Sequence, residues 1–445
     1  GPRDPRAAGG VMASALYSRL LGDAEMAALM GDEAAIAAML HAEAALARAQ
    51  GKLGIIPKPA ASAIAKAAET LRLDPAALAP GVARAGIAAQ PVIAALKQAA
   101  GADADWVHFG ATSQDIVDTG LMIQLQQALA LLRARLAGLA SLLALKAAEF
   151  DDLPIPAHTR FRIAAPTTLG AKIAIWRAPL LRDLDRLDQL LPRLLNVSLY
   201  GAAGTSAALG PQAGALRHAM AAELGLAAPD TPWHTTRDSI AELGGGLSLV
   251  TGSLGKMGAD LVLLAQSELG EVFAGTGGAS STMPQKSNPV AAEALVTLAR
   301  LNAGDLGTLH QALIHAQERD GAALALEWAL LPAMLERTAA SLRIAQELAQ
   351  TLRADPARIA ANFAADRGAM MAEAAGFLLT RDMPRTAALK IVAEALRAMQ
   401  ADPMLTLANA LATLAPGRDW PALLAPDANL GQAPAIAAKA EDPAP

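Results

Sequence analysis

The chain has 445 residues, enough for two or three domains and a large core. A formal net charge of −5 argues against a nucleic-acid binder, which needs a basic face to neutralise phosphates. The absence of cysteine excludes disulfides and thiolate metal sites, and it fits a reducing compartment.

Hydrophobic residues make up 53% of the chain but aromatics only 3%, so the core must be built from Ala, Leu, Ile, Val and Met, which suit closely packed helices. The N-terminal Gly1-Pro2, without Met, reads as a remnant of protein production and is left out of fold reasoning; nothing after it reads as a signal peptide. The longest uncharged stretch, Leu194 to Leu216, contains Asn196, Ser198, four glycines, Pro211 and Gln212, a composition wrong for a lipid-facing helix. No membrane association is expected, and a cytoplasmic location is the default.

In chain order, the first hundred or so residues carry short helical patterns punctuated by Gly51, Gly54, Pro57, Pro59, Pro75, Pro80 and Pro91. Ala34 to Gln50 is Ala-rich and amphipathic. From Asp115 to about Phe150 the pattern changes: Leu121, Leu125, Leu129, Leu132, Leu136, Leu139 and Leu143 form one helical stripe. At about 1.5 Å per residue that helix runs roughly 50 Å. A second long helix follows Gly170, with Leu180, Leu184, Leu187, Leu191 and Leu194 on one face. A third is expected after Gly246, a fourth from Pro289, and a fifth from about Ala322 to Leu352. β-Branched alternation is nearly absent, so almost no sheet is expected. The fold class is therefore all-α, with an N-terminal helical domain over 1–111, a central long-helix domain over 112–352 and a small helical domain over 353–445. Narrow leucine stripes on helices this long look like coiled-coil seams, as in a five-helix bundle that pairs with copies of itself. The Pro/Ala-rich end of the chain is expected to be disordered.

Four segments could do chemistry. His108-Phe109-Gly110-Ala111-Thr112-Ser113-Gln114-Asp115 reads first as a helix start, with Thr112 and Asp115 placed as a capping box. Free N–H groups there, beside two hydroxyls, also make a carboxylate site. His158-Thr159-Arg160-Phe161-Arg162 carries a histidine and two arginines, which suit a polyanion because arginine grips carboxylates bidentately; the bland alternative is a solvated loop. Glu318-Arg319-Asp320 opens the fifth helix. Gly277 to Pro289 packs glycines, adjacent hydroxyls, Lys286 and Asn288 into thirteen residues without helical period. The seven histidines show no metal-helix spacing, so neither a metal nor another cofactor is expected. Gly278 to Ser287 lacks the glycine before lysine of a phosphate loop, and Gly244-Gly245-Gly246 follows no strand, so neither is a nucleotide fingerprint.

The run Ala279-Ser280-Ser281-Thr282-Met283-Pro284-Gln285-Lys286-Ser287-Asn288-Pro289 resembles the signature loop of the fumarase/aspartase superfamily, Gly-Ser-Ser-x-Met-Pro-x-Lys-x-Asn-Pro, with Ala279 in place of the first glycine. Thr112-Ser113-Gln114-Asp115 is similar to that superfamily's Thr-Ser-x-Asp, which grips a substrate carboxylate. Thr159, Ala164, Pro166, Thr167, Thr168 and Gly170 match its second region, with His158 at the usual Arg, Arg162 at the usual Gln, and Arg160 where many fumarate-forming members have a general-acid His. Within the superfamily, the segments around His108, Gly201–Thr205, Pro232-Trp233-His234-Thr235-Thr236-Arg237-Asp238 and Glu268–Phe273 are most similar to the bacterial 3-carboxy-cis,cis-muconate cycloisomerases.

The resemblance implies a homotetramer with a twenty-helix core and active sites drawn from three subunits. It implies addition or elimination next to a carboxylate through an aci-carboxylate. The expected catalytic residues are Ser280 as proton carrier, with Lys286 and Asn288 stabilising charge; Ser281 is the fallback base. The expected substrate contacts of a small polycarboxylate are His108, Thr112, Ser113, Thr159, Arg160, Arg162, His234, Ser281, Met283 and Arg319. A lactone-forming enzyme can dispense with the acid missing at Arg160, because the substrate's own carboxylate attacks the double bond. The alternatives are a fumarate-releasing C–N lyase and, from another class, a catalytically silent helical scaffold.

Overall fold

A computed structural model describes residues 15–279 and 287–439. The expected tail disorder concerns in part residues 440–445, which lie outside the described range. The fold is all-α apart from short β-pairs, and it divides into two compact units. One comprises Gly1–Leu136, Arg182–Gly255 and Val296–Arg343; the other comprises Ala137–Leu181, Lys256–Leu295 and Ile344–Pro445.

The long helices are Ser113–Glu149, Leu169–Leu194, Asp238–Leu264, Val290–Gln311 and Gly321–Thr351. Four begin within about two residues of the positions read from the sequence. The third begins at Asp238, well before the expected start after Gly246, so the glycine triplet lies inside it. Packing explains why: a Cβ on Gly244 would stand 2.3 Å from Leu309 Cδ2, so only glycine lets the helices Asp238–Leu264 and Val290–Gln311 approach there. By length and composition alone Ser113–Glu149 and Asp238–Leu264 could each cross a membrane, but about half of each apolar window is buried inside the protein (44% and 50%), as in a core helix.

In the first unit, Asp32–Leu53 packs on Lys58–Thr70. A Cβ on Gly51 would meet Ala61 Cβ at 2.4 Å, so this glycine, expected to break the helix, instead sits within it at a close crossing. Pro80 and Pro91 likewise lie inside helices, Pro75–Ala85 and Ala89–Ala100. Arg133 forms a bidentate pair with Asp188 at 2.7 and 2.8 Å, Arg193 pairs with Glu242, and Asn302 donates to Thr338 at 3.1 Å, tying long helices together in turn.

In the second unit, Pro154–Thr159 and Arg162–Thr168 form an antiparallel hairpin, an exception to the expectation of almost no sheet. Its strands rest on the helix Pro356–Ala365 and the turn Ala369–Met371. The C-terminal helices enclose an apolar cluster around the fully buried Trp420, whose indole N–H donates to Ala415 O at 2.9 Å.

Candidate active site

In the first unit, the start of the helix Ser113–Glu149 is organised by one buried carboxylate. Asp115 Oδ2 accepts from the Thr112 N–H (3.0 Å) and the Gly201 N–H (2.9 Å). Its Oδ1 accepts from the Tyr200 N–H (2.9 Å) and the Ser198 hydroxyl (3.3 Å) and lies 2.8 Å from His234 Nε2. The Thr112 contact is one half of the expected capping box. The others draw the Ser198–Gly201 strand of chain onto the helix start from more than eighty residues away. Burial would raise the Asp115 pKa, but the His234 hydrogen bond and charge, with the Tyr200 and Thr112 amides, outweigh it and hold the carboxyl below its ordinary range.

Thr112 is buried and Ser113 half-buried. The Thr112 hydroxyl accepts from Arg319 Nη1 at 3.0 Å, while Arg319 Nη2 donates to Ala202 O at 2.9 Å. The structure therefore brings together Thr112, Ser113, Arg319 and, through Asp115, His234. The His234 side chain is only 3% exposed and its Nε2 faces Asp115. His108 lies just before the helix at φ 61°, with Nδ1 2.6 Å from Glu43 Oε1.

One turn deeper, Arg237 binds Asp118 through two bonds (2.9 and 3.0 Å) and Glu327 through Nε (2.9 Å) and Nη2 (2.5 Å). All three side chains are at most 1% exposed. Burial would lower the Arg237 pKa, but the two carboxylates hold it well above its ordinary value. Gln114 links this triad to the helix start, donating to Asp118 (3.1 Å) and to His234 O (2.8 Å). The buried His315 ring stands 3.8 Å from Glu327; burial and the Arg237 charge lower its pKa. Read from the sequence, Asp118 and Glu43 have no place in the site, and Arg237 and Glu327 stand only within longer segments, without a role. The acid at Asp118, three residues after Asp115 on one helix face, was the available signal.

The second unit carries Thr159, Arg160, Arg162 and Asn288. Thr159 pairs with Arg162 in the hairpin, leaving Arg160 and Phe161 as a two-residue loop. Both have positive φ (50° and 64°), as a type I′ turn requires, although that turn favours Asn-Gly. Thr159, Arg160, Phe161 and Arg162 are exposed, Phe161 to 83%, and among the described residues neither guanidinium has a bonded partner. Of six non-glycine residues with positive φ among those described, His108, Arg160, Phe161, Ser206 and Gln317 lie in or next to segments singled out from the sequence; such strain collects at functional sites.

Gly278 and Ala279 pair with Asn288 and Ser287 at the stem of the signature segment, and Gly277 leaves no room for a Cβ, which would stand 1.9 Å from Ser287 Oγ. Asn288 is half-buried. Ser280, Ser281, Met283 and Lys286 lie outside the described residues. Also among the described residues, no group of three His, Asp or Glu side chains is arranged to hold a metal ion.

The profile described as "Lyase" matches residues 18–302. The chain is 43% identical over 394 residues to the 3-carboxy-cis,cis-muconate cycloisomerase of Pseudomonas aeruginosa, covering 87% of this chain and 86% of that protein. Among solved structures it is similar to the 3-carboxy-cis,cis-muconate lactonizing enzyme from Pseudomonas putida (TM-score 0.92, 37% identity, 97% of this chain and 99% of that one). It is also similar to a fumarate lyase from Mesorhizobium sp. BNC1 (TM-score 0.90, 32% identity, 96% and 99%).

Proposed function

The chain belongs to the lyase family, within the fumarase/aspartase superfamily, and on that premise we propose that it is a 3-carboxy-cis,cis-muconate cycloisomerase. The observation that carries this reading beyond family membership is the hairpin tip. Arg160 stands at the usual place of a general-acid histidine, exposed and without a bonded partner among the described residues. Lactonisation does not need that acid. One substrate carboxylate oxygen forms the C–O bond to the double bond, and the carbon beside a second carboxylate takes up a proton, so no group leaves. In reverse, that proton is removed, the C–O bond breaks and the carboxylate is released. Attack within one molecule gains from proximity.

In this reading the helix start receives a carboxylate on the Ser113 side of Thr112, with Arg319 already aimed by the Thr112 hydroxyl and Ala202 O. Asp115 and His234 keep that start in shape. His108 meets the substrate from the preceding turn. Arg160 and Arg162 take the charge of further carboxylates, and Thr159, Ser281 and Met283 are the remaining substrate contacts of this reading. Ser280 carries the proton, and Lys286 and Asn288 stabilise the dianionic aci-carboxylate, where aimed donors contribute most to the rate. The active assembly is a homotetramer in the cytoplasm, with no nucleic-acid or membrane partner and no cofactor.

The test is to supply 3-carboxy-cis,cis-muconate and follow its ultraviolet absorbance and its products. The reading predicts consumption to a single lactone. Release of fumarate from a C–N substrate, with the muconate untouched, would replace it with the lyase alternative. Ser280→Ala should lower turnover by about 10²–10⁴-fold while the protein stays folded.

A further inference from the structure

We propose that Glu43 is a positioning residue that sets the orientation and tautomer of His108. This rests on the reading that His108 meets the substrate. Glu43 lies on the helix Asp32–Leu53 with its side chain only 1% exposed. Its Oε1 is 2.6 Å from His108 Nδ1, and its Oε2 is buried without a hydrogen-bond partner among the described residues. Gln50, seven residues later and so on the same helix face, donates from Nε2 to Phe109 O at 2.7 Å. One helix face thus grips two successive residues of the turn that leads into Thr112, at the point where His108 is held in the left-handed region.

The chemistry follows from which nitrogen is occupied. A carboxylate accepts, so Nδ1 carries the hydrogen it donates to Glu43, and Nε2 is the nitrogen left for a ligand. His234 is held the other way round, by Nε2 on Asp115, and its side chain is 3% exposed against 15% for His108. Of the pairs His108–Glu43, His234–Asp115 and His315–Glu327, the one built on Glu43 leaves the most ring surface to meet a substrate, the other two histidine side chains being 3% and 0% exposed. A purely structural tie would not need the charge. Burying a carboxylate with one oxygen unpartnered is costly, and a glutamine amide could bond the same ring at the same length.

The experiment compares Glu43→Gln, Glu43→Asp, His108→Gln and the double variant Glu43→Gln/His108→Gln. It reads kcat and KM for 3-carboxy-cis,cis-muconate, and the His108 tautomer by ¹⁵N NMR of the imidazole. Glu43→Gln should raise KM about tenfold or more, the scale of one charge-assisted hydrogen bond, with a smaller change in kcat. It should also lose the pure Nδ1–H tautomer seen in the wild type. Glu43→Asp should restore part of both, and the double variant should be no worse than His108→Gln. The proposal is overturned if Glu43→Gln keeps the wild-type KM and tautomer, or if the losses of the two single variants add. If His108→Gln leaves KM unchanged, the substrate contact assigned to His108 is wrong. The tautomer still decides whether Glu43 orients the ring.

Discussion

The helix start around Asp115 and the hairpin Pro154–Thr168 both carry superfamily motifs, yet they are built in opposite ways. Asp115 is buried, and both its oxygens are filled by the chain's own backbone, a hydroxyl and a histidine. The hairpin leaves Thr159, Arg160, Phe161 and Arg162 exposed and holds its two tip residues at positive φ. The first region is preorganised by internal bonds. The second keeps charges uncommitted, the arrangement needed if their partner is a substrate.

That contrast makes substitutions in the two regions separable. The largest effect on stability is expected beneath the helix start. Arg237→Met leaves Asp118 and Glu327 buried against each other and should cost about 3–5 kcal/mol, read as a shift in the urea midpoint. A loss under 1 kcal/mol would show that the triad does not brace this region. Asp115→Asn comes next. It should cost about 1–3 kcal/mol at pH 7 by weakening the bonds to three amides and His234. Because its folded pKa lies below the ordinary value of 3.8, the Asp115 contribution is complete above that pH and disappears as pH falls through the folded value. The gap between wild type and Asp115→Asn should therefore close in acid. The smallest effect is expected at the hairpin, where Arg160→Ala and Arg162→Ala should stay within about 0.5 kcal/mol of wild type. Activity assays should nonetheless show each raising KM roughly tenfold. If either unfolds the protein, the contrast fails.

Some of this could be read from residues alone and some could not. The leucines from Leu121 to Leu143 recur at helical spacing, and the helix Ser113–Glu149 lies where they place it. Gly244-Gly245-Gly246 misled because glycine permits both a chain break and a close helix crossing, and only the neighbour Leu309 decides between them. The hairpin was hidden because Pro154, Pro156 and Pro166 interrupt any alternating pattern. At the site, Thr112 and Asp115 announce a cap locally, but the ties of Asp115 to Tyr200, Gly201 and His234 join distant parts of the chain. The same holds for Arg237 with Asp118 and Glu327, and for His108 with Glu43. The roles proposed for Ser280 and Lys286 rest on the motif they share with the superfamily.

The most direct measurement is a crystal structure with an unreactive tricarboxylate, such as propane-1,2,3-tricarboxylate, bound to the wild-type protein. The account predicts a carboxylate on the N–H groups at Thr112–Ser113, beside Arg319, with Asp115 still bound to Tyr200, Gly201 and His234. An anion bound elsewhere, with the helix start empty, would contradict it.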